Sequence, residues 1–179
     1  MARALLIIDF QNDFTAGGAL AVPDGDAIAP RLNELIDSGR FDLVVATRDW
    51  HPPDHASFAD QGGPWPPHCV QGTHGAELNA ALNSAGVDAI VDAGYRRDLD
   101  GYSGFEETDL AELLRQNDID DVTVVGLATD YCVKETAADA LRKGFRVAID
   151  RDGIRGIDVE PGDSERALDE LRAAGAQVS

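Results

Sequence analysis

Several short stretches of this chain are apolar without alternation, and that pattern restricts the fold more than any other feature. Ala4–Asp9, Leu43–Thr47, Ala89–Val91, Val122–Gly126 and Arg146–Ile149 read as strands, with a weaker one at Ala176–Val178. A half-exposed strand alternates apolar and polar residues, whereas ALLII and VTVVG leave no polar face. Burial on both faces requires a parallel sheet with helices above and below. Amphipathic stretches at Asp26–Asp37, Thr108–Gln116, Asp130–Lys143 and Asp163–Ala174 supply those helices, with Thr108 and Asp163 as expected N-caps. The fold class is therefore α/β, a three-layer doubly wound sheet, expected as a single domain over residues 1–179.

Charge narrows the partners. The chain holds 33 acidic and 15 basic residues, a formal net charge of -18, and its only lysines are Lys134 and Lys143. Such a field repels nucleic acid and anionic membrane, so neither is an expected partner. The acids are spread over every segment rather than gathered in a tail, which suits a surface solvated at high salt and suggests a halophilic source. No apolar run approaches a membrane span, and MARALLIIDF lacks the cleavage region of a signal peptide, so the expected location is the cytoplasm. The two cysteines, Cys69 and Cys132, lie far apart without metal or redox spacing, and a disulfide is not expected. The sequence leaves the oligomeric state open.

In open α/β sheets the chemistry lies beyond the carboxyl ends of the strands. The first strand ends in Asp9, where burial would raise the carboxyl pKa and make it a candidate proton shuttle. The second ends in Thr47-Arg48-Asp49-Trp50-His51. Asp49 and His51, two apart in extended chain, face the same side and suit a divalent transition metal such as zinc, iron or manganese. The long segment His51–Gly75 carries all four histidines, so His55 or His68 is a candidate third ligand. The fourth strand leads into Gly126-Leu127-Ala128-Thr129-Asp130-Tyr131-Cys132. A helix starting near Asp130 would set Cys132 in its first turn, where the dipole lowers a thiol pKa and backbone N–H groups can hold an oxyanion. A nucleophilic thiol beside a carboxylate shuttle points to acyl transfer, specifically amide hydrolysis. Phe14, Trp65 and Tyr102 are candidates to wall a pocket for a flat ring, and the expected partner is a small-molecule amide.

Together IIDFQNDFTAGGALAV, TRDWHPPDHASF, WPPHCVQGT, GYSGF and GLATDYCVKETAADAL resemble the nicotinamidases of the isochorismatase-like cysteine hydrolases. The resemblance implies a six-stranded parallel sheet and hydrolysis of nicotinamide to nicotinate and ammonia, in NAD salvage. It assigns Asp9 to proton transfer, Cys132 to nucleophilic attack, and Asp49, His51 and His68 to one divalent metal, with His55 a ligand or support. It also implies an oxyanion hole from the N–H groups of Ala128 and Cys132, a cis peptide at Leu127-Ala128, and a ring pocket lined by Phe14, Trp65 and Tyr102. One departure stands out. The family's third catalytic residue is a lysine in a Lys-Gly pair after the third strand, and here Ala93 precedes Gly94. Three explanations fit: an engineered lysine-to-alanine variant, a natural relative with altered chemistry, or a binding protein without turnover. Another small-amide hydrolase of the same superfamily is the enzymatic alternative.

Overall fold

The computed structural model describes residues 1–179. Six strands, β1 (Ala2–Ile8), β2 (Leu43–Asp49), β3 (Ala89–Ala93), β4 (Ile119–Leu127), β5 (Arg146–Arg155) and β6 (Gln177–Val178), form one wholly parallel sheet in the order β3-β2-β1-β4-β5-β6. The helices are α1 (Ala29–Asp37), α2 (Leu110–Gln116), α3 (Lys134–Arg142) and α4 (Asp163–Ala173). Alternation along β1 feeds two cores. Ala4, Leu6 and Ile8 pack with Leu110 and Leu114 of α2, Ala137 and Ala140 of α3, and Leu168 and Leu171 of α4. Leu5 and Ile7 face the other way, onto Leu32 and Leu35 of α1 and onto Phe10, Phe14, Cys69 and Ala76 from the loops. Three helices thus cover one face, while α1 and loop segments between the strands cover the other.

Several boundaries differ from the sequence reading. Strand β4 begins at Ile119 and β5 runs on to Arg155, because sheet pairing holds polar residues that local pattern does not mark as strand. Residues Gly25–Ile28 form a 3₁₀ turn, and only from Ala29 does the α-helix begin. Asp109 rather than Thr108 is the N-cap of α2, although the Thr108 hydroxyl still accepts the Leu110 N–H at 3.3 Å. Gly162, with φ 90°, caps α4, and Asp163 is its first residue.

The strand order reverses between β1 and β4, which opens a crevice beyond their carboxyl ends. Asp9 follows β1 there, and Cys132 follows β4. Gly126 makes this junction fit: its φ is 115°, and a Cβ would lie 2.1 Å from the Ile8 carbonyl oxygen.

Candidate active site

Asp9 enters the crevice on left-handed backbone, φ 48°, a conformation that non-glycine residues adopt mainly where surroundings enforce it. The β2 end supplies that enforcement. The Asp9 N–H donates to the Thr47 carbonyl at 3.2 Å, and the Thr47 hydroxyl donates to Asp9 Oδ1 at 2.7 Å. Burial drives the Asp9 carboxyl well above the ordinary range, and the Asp49 charge adds to it, with Thr47 opposing. Ligating atoms of Asp9, Asp49 and Cys132 all lie within 4.8 Å of one another.

For Cys132 the local setting differs from the expected helix N-terminus. Thr129–Val133 is a five-residue π-helical turn, and α3 starts only at Lys134. The Ala128 carbonyl accepts from Tyr131 and Val133, and the Ala128 N–H donates to no group of the chain. The peptide Leu127-Ala128 is cis. The thiol is not acidified: burial pushes its pKa well up, and the Asp9 and Asp49 charges push in the same direction. The expectation of a lowered thiol pKa is thus corrected, because desolvation and two carboxylates outweigh a single turn's dipole.

A second cluster adjoins the first. Asp49 Oδ2 lies 3.3 Å from His51 Nε2 and 3.7 Å from His68 Nε2. The far nitrogens face carbonyls, His51 Nδ1 to Gly94 O and His68 Nδ1 to Pro66 O, each at 2.8 Å. A carbonyl only accepts, so each Nδ1 carries the proton, and in the neutral ring Nε2 is bare. Two imidazole lone pairs and a carboxylate oxygen therefore converge on one buried point, an arrangement that a cation satisfies and that suits a divalent metal. With the rings protonated instead, charge binds the same groups together. Burial acts to raise the Asp49 carboxyl, yet the two histidines hold it down to about 2. Burial acts to lower His51, yet the Asp49 charge and the bonds to Asp49 and Gly94 raise it. Gln11 locks the backbone here, accepting from Asp49 N–H and donating to the carbonyls of Asp49 and Ala76, all at 2.8 Å.

His55 does not join this cluster. Its Nδ1 meets Ser57 Oγ and its Nε2 meets the Leu99 carbonyl, both at 2.7 Å, and the ring stacks on His51 at 3.8 Å. With both nitrogens engaged, its ring buttresses His51. His74 is exposed and pairs with Glu77. Cys69 is wholly buried, and the carboxylate of Asp13 accepts its backbone N–H at 2.7 Å.

A cleft opens over both clusters. Phe14, Trp65 and Tyr102 line it together with Asp49, His51, His68, Ala128 and Cys132. Trp65 Nε1 donates to Tyr102 Oη at 3.0 Å, and Tyr131 meets the Trp65 ring edge-on at 5.3 Å. Sequence reasoning missed Tyr131, Thr47 and Gln11. Tyr131 sits beside the cysteine in the quoted motif, and Thr47 shares the inward face of β2 with Asp49, so two of the three had a positional signal.

No lysine or arginine lines this cleft. Ala93 ends β3 in register with Asp49 and is buried. Strand alternation puts it on the face of Val91, the side on which Cys132 packs. Neighbouring arginines are committed elsewhere: Arg48 to Asp92, Arg96 to Glu107, and Arg97 to Asp54 and Asp98. The loop after Ala93 is built against the histidine cluster. Gly94 has φ 62°, and a Cβ there would lie 2.5 Å from His51 Cε1.

Fold and site together define an α/β protein of the cysteine-hydrolase type, with a thiol, a carboxylate and a metal-competent triad in one cleft. Residues 3–179 match the isochorismatase domain model, and the chain belongs to the isochorismatase family. It is 44% identical to a nicotinamidase of Escherichia coli, over 98% of this chain and 93% of that one. The pyrazinamidase of Pyrococcus horikoshii, solved in complex with zinc, superposes with a TM-score of 0.91 at 48% identity, covering 100% of this chain and 99% of that one. An L. infantum protein solved in complex with nicotinate superposes with a TM-score of 0.95 at 39% identity, covering 99% and 92%.

Proposed function

We propose that this chain is a nicotinamidase-type amidohydrolase that converts nicotinamide to nicotinate and ammonia through a thioester on Cys132. The observation that carries the reading is the meeting of Cys132 and Asp9 beneath a cleft lined by Phe14, Trp65 and Tyr102. Similarity to a nicotinamidase at 44% identity and to a nicotinate complex supports the substrate. Phe14, Trp65 and Tyr102, joined by Tyr131, sandwich the flat pyridine ring and exclude water from it. Asp9 takes the Cys132 proton as sulfur attacks the carboxamide carbon, and the oxyanion forms against the N–H groups of Ala128 and Cys132. Asp9 then returns the proton to the departing ammonia, and in the second half draws a proton from the water that attacks the thioester. A carboxyl raised by burial is suited to both directions of transfer. Asp49, His51 and His68 would hold one divalent metal, zinc, iron or manganese, which when bound supplies a Lewis acid for the pyridine nitrogen. The zinc complex of the Pyrococcus relative supports that ligand class.

Ala93 limits the rate. No lysine or arginine lies beside the thiol and Asp9, so the ionised pair that attack requires is rare. Supplying one by Ala93→Lys is expected to raise ammonia release from nicotinamide by roughly 10²–10⁴-fold, the usual contribution of a positioned charged catalyst. No gain, with nicotinamide still untouched, sinks the substrate assignment. The empty charge position also favours a second reading, a protein that binds nicotinamide or nicotinate without turnover. Calorimetric binding with no ammonia from either chain over long incubation would select it. We place the protein in NAD salvage, in the cytoplasm of an organism with a salt-rich interior. The acidic surface repels nucleic acid and anionic membrane, which supports reading neither as a partner, and no helix is long and apolar enough to cross a membrane.

A further inference from the structure

We infer that Asp9, Asp49 and Cys132 form a second cation site, in which Asp49 bridges two metals and the Cys132 sulfur is a ligand. The inference starts from Asp49 Oδ1. It is the single buried side-chain polar atom of the chain with no hydrogen-bond partner, on a residue only 5% exposed. A buried carboxylate oxygen left unpaired costs desolvation that nothing returns, and such an atom marks a missing partner. The other oxygen, Oδ2, already faces His51 and His68. Ligating atoms of Asp9, Asp49 and Cys132 lie mutually within 4.8 Å, and all three residues are buried. This is one concentration of acid with no lysine or arginine in its cleft. The residue in register with Asp49 is Ala93, whose methyl brings no charge.

The donor set names the class of ion. Two carboxylates and one thiolate suit a divalent, thiophilic or borderline metal such as zinc, cobalt or cadmium, and not magnesium or calcium, which take oxygen alone. Binding forms a metal–sulfur bond and releases the thiol proton to solvent. A bridging carboxylate shared by two close metals is common chemistry in hydrolases. Here, however, the second ion would seize the nucleophile, so the site is an inhibitory one that excess metal fills. The inference rests on the Asp49–His51–His68 reading only for what the first metal is.

Chelator-treated full-length chain is titrated with cobalt(II) and then with cadmium(II), following the thiolate-to-metal charge-transfer absorption. Two equivalents are expected, one of them bringing the charge-transfer band. In Cys132→Ser the band is expected to vanish and the stoichiometry to fall to one. In Asp9→Asn the thiolate-linked equivalent is expected to weaken by at least about tenfold, with the other unchanged. A band that survives Cys132→Ser, or binding with no thiolate band at any stoichiometry, overturns the inference. One equivalent that carries the band keeps the thiolate site but overturns the bridge and, with it, the histidine reading, so the two failures are distinct. Alkylation by iodoacetamide gives a readout that needs no variant. The thiolate-linked equivalent should protect Cys132, and an unchanged labelling rate with metal in excess counts against the site.

Discussion

The state of the Cys132 thiol decides how this cleft works. Burial is its largest perturbation, followed by the charges of Asp9 and Asp49, and all three raise its pKa. A raised thiol pKa means that the thiolate appears only at higher pH, so nucleophilicity grows as pH rises. A cation at residue 93 would favour the anion and move that growth to lower pH. Accordingly, the pH profile of Cys132 alkylation in Ala93→Lys is expected to shift acidward by at least about one unit, since an opposite charge within reach shifts a pKa by 1–3. Cys69, wholly buried, should stay unlabelled until unfolding. Mass spectrometry of the labelled chain checks both. The neighbouring hydroxyl offers a second test. Thr47→Val keeps the β2 shape but removes the donor to Asp9 Oδ1, leaving a buried acceptor unpaired. Chemical denaturation is expected to show a loss of about 1–3 kcal/mol, and the profile of any residual amidase activity should move to higher pH, because Thr47 is a group that holds the Asp9 pKa down.

Between elements, glycines set how closely the crevice walls approach. Gly94 leaves β3 at φ 62° and lets His51 seat its Nδ1 on the Gly94 carbonyl. Gly94→Ala would put a methyl 2.5 Å from His51 Cε1 and strain a left-handed backbone. The ring must turn away, so metal affinity measured by calorimetry is expected to fall by roughly 10–100-fold, the usual cost of a lost supporting bond. An unchanged affinity would show that His51 is held by other contacts. The same geometry explains what could be read from sequence. β1 was legible because ALLII is apolar on both faces, and its end at the crevice followed at once. The end of β5 was not, since Arg151-Asp152-Gly153 looks like a turn and is kept in the strand by pairing of Ile154 and Arg155 with Gly126 and Leu127. The π-helical turn at Thr129–Val133 has no sequence signature of its own, so local pattern places the helix start at Asp130 and an acidic thiol in its first turn. Its real environment depends on Asp9 and Asp49, which come from two other strand ends. His55 likewise matches a ligand in type and spacing, and only the Ser57 and Leu99 contacts show both nitrogens occupied. Motif order gave the residues that meet in the cleft, but the charge balance among them required their distances.

For the molecule as a whole the governing quantity is the formal net charge of -18. Eleven of the cationic residues pair with carboxylates within 4 Å, mostly on the surface, as at Arg31–Asp150 and Arg48–Asp92. Exposed pairs contribute only about 0–1 kcal/mol each and weaken as salt screens them. Most of the 33 acids have no such partner, and their mutual repulsion acts over the whole surface and opposes compaction. Salt screens both effects, but the repulsive one involves more charges and longer distances, which screening reaches first. At about 0.1 M the Debye length is already near 10 Å, and at 1 M it is about 3 Å. The melting temperature is therefore expected to rise steeply as sodium chloride goes from low concentration to a few tenths molar, then more gently. Chloride is preferred for this test because sulfate would also strengthen apolar burial and confuse the two causes. Scanning calorimetry of the same preparation across that series gives the result directly. A melting temperature that falls with added chloride would mean that the ion pairs outweigh the repulsion, and the salt-rich setting proposed for this protein would lose its physical basis.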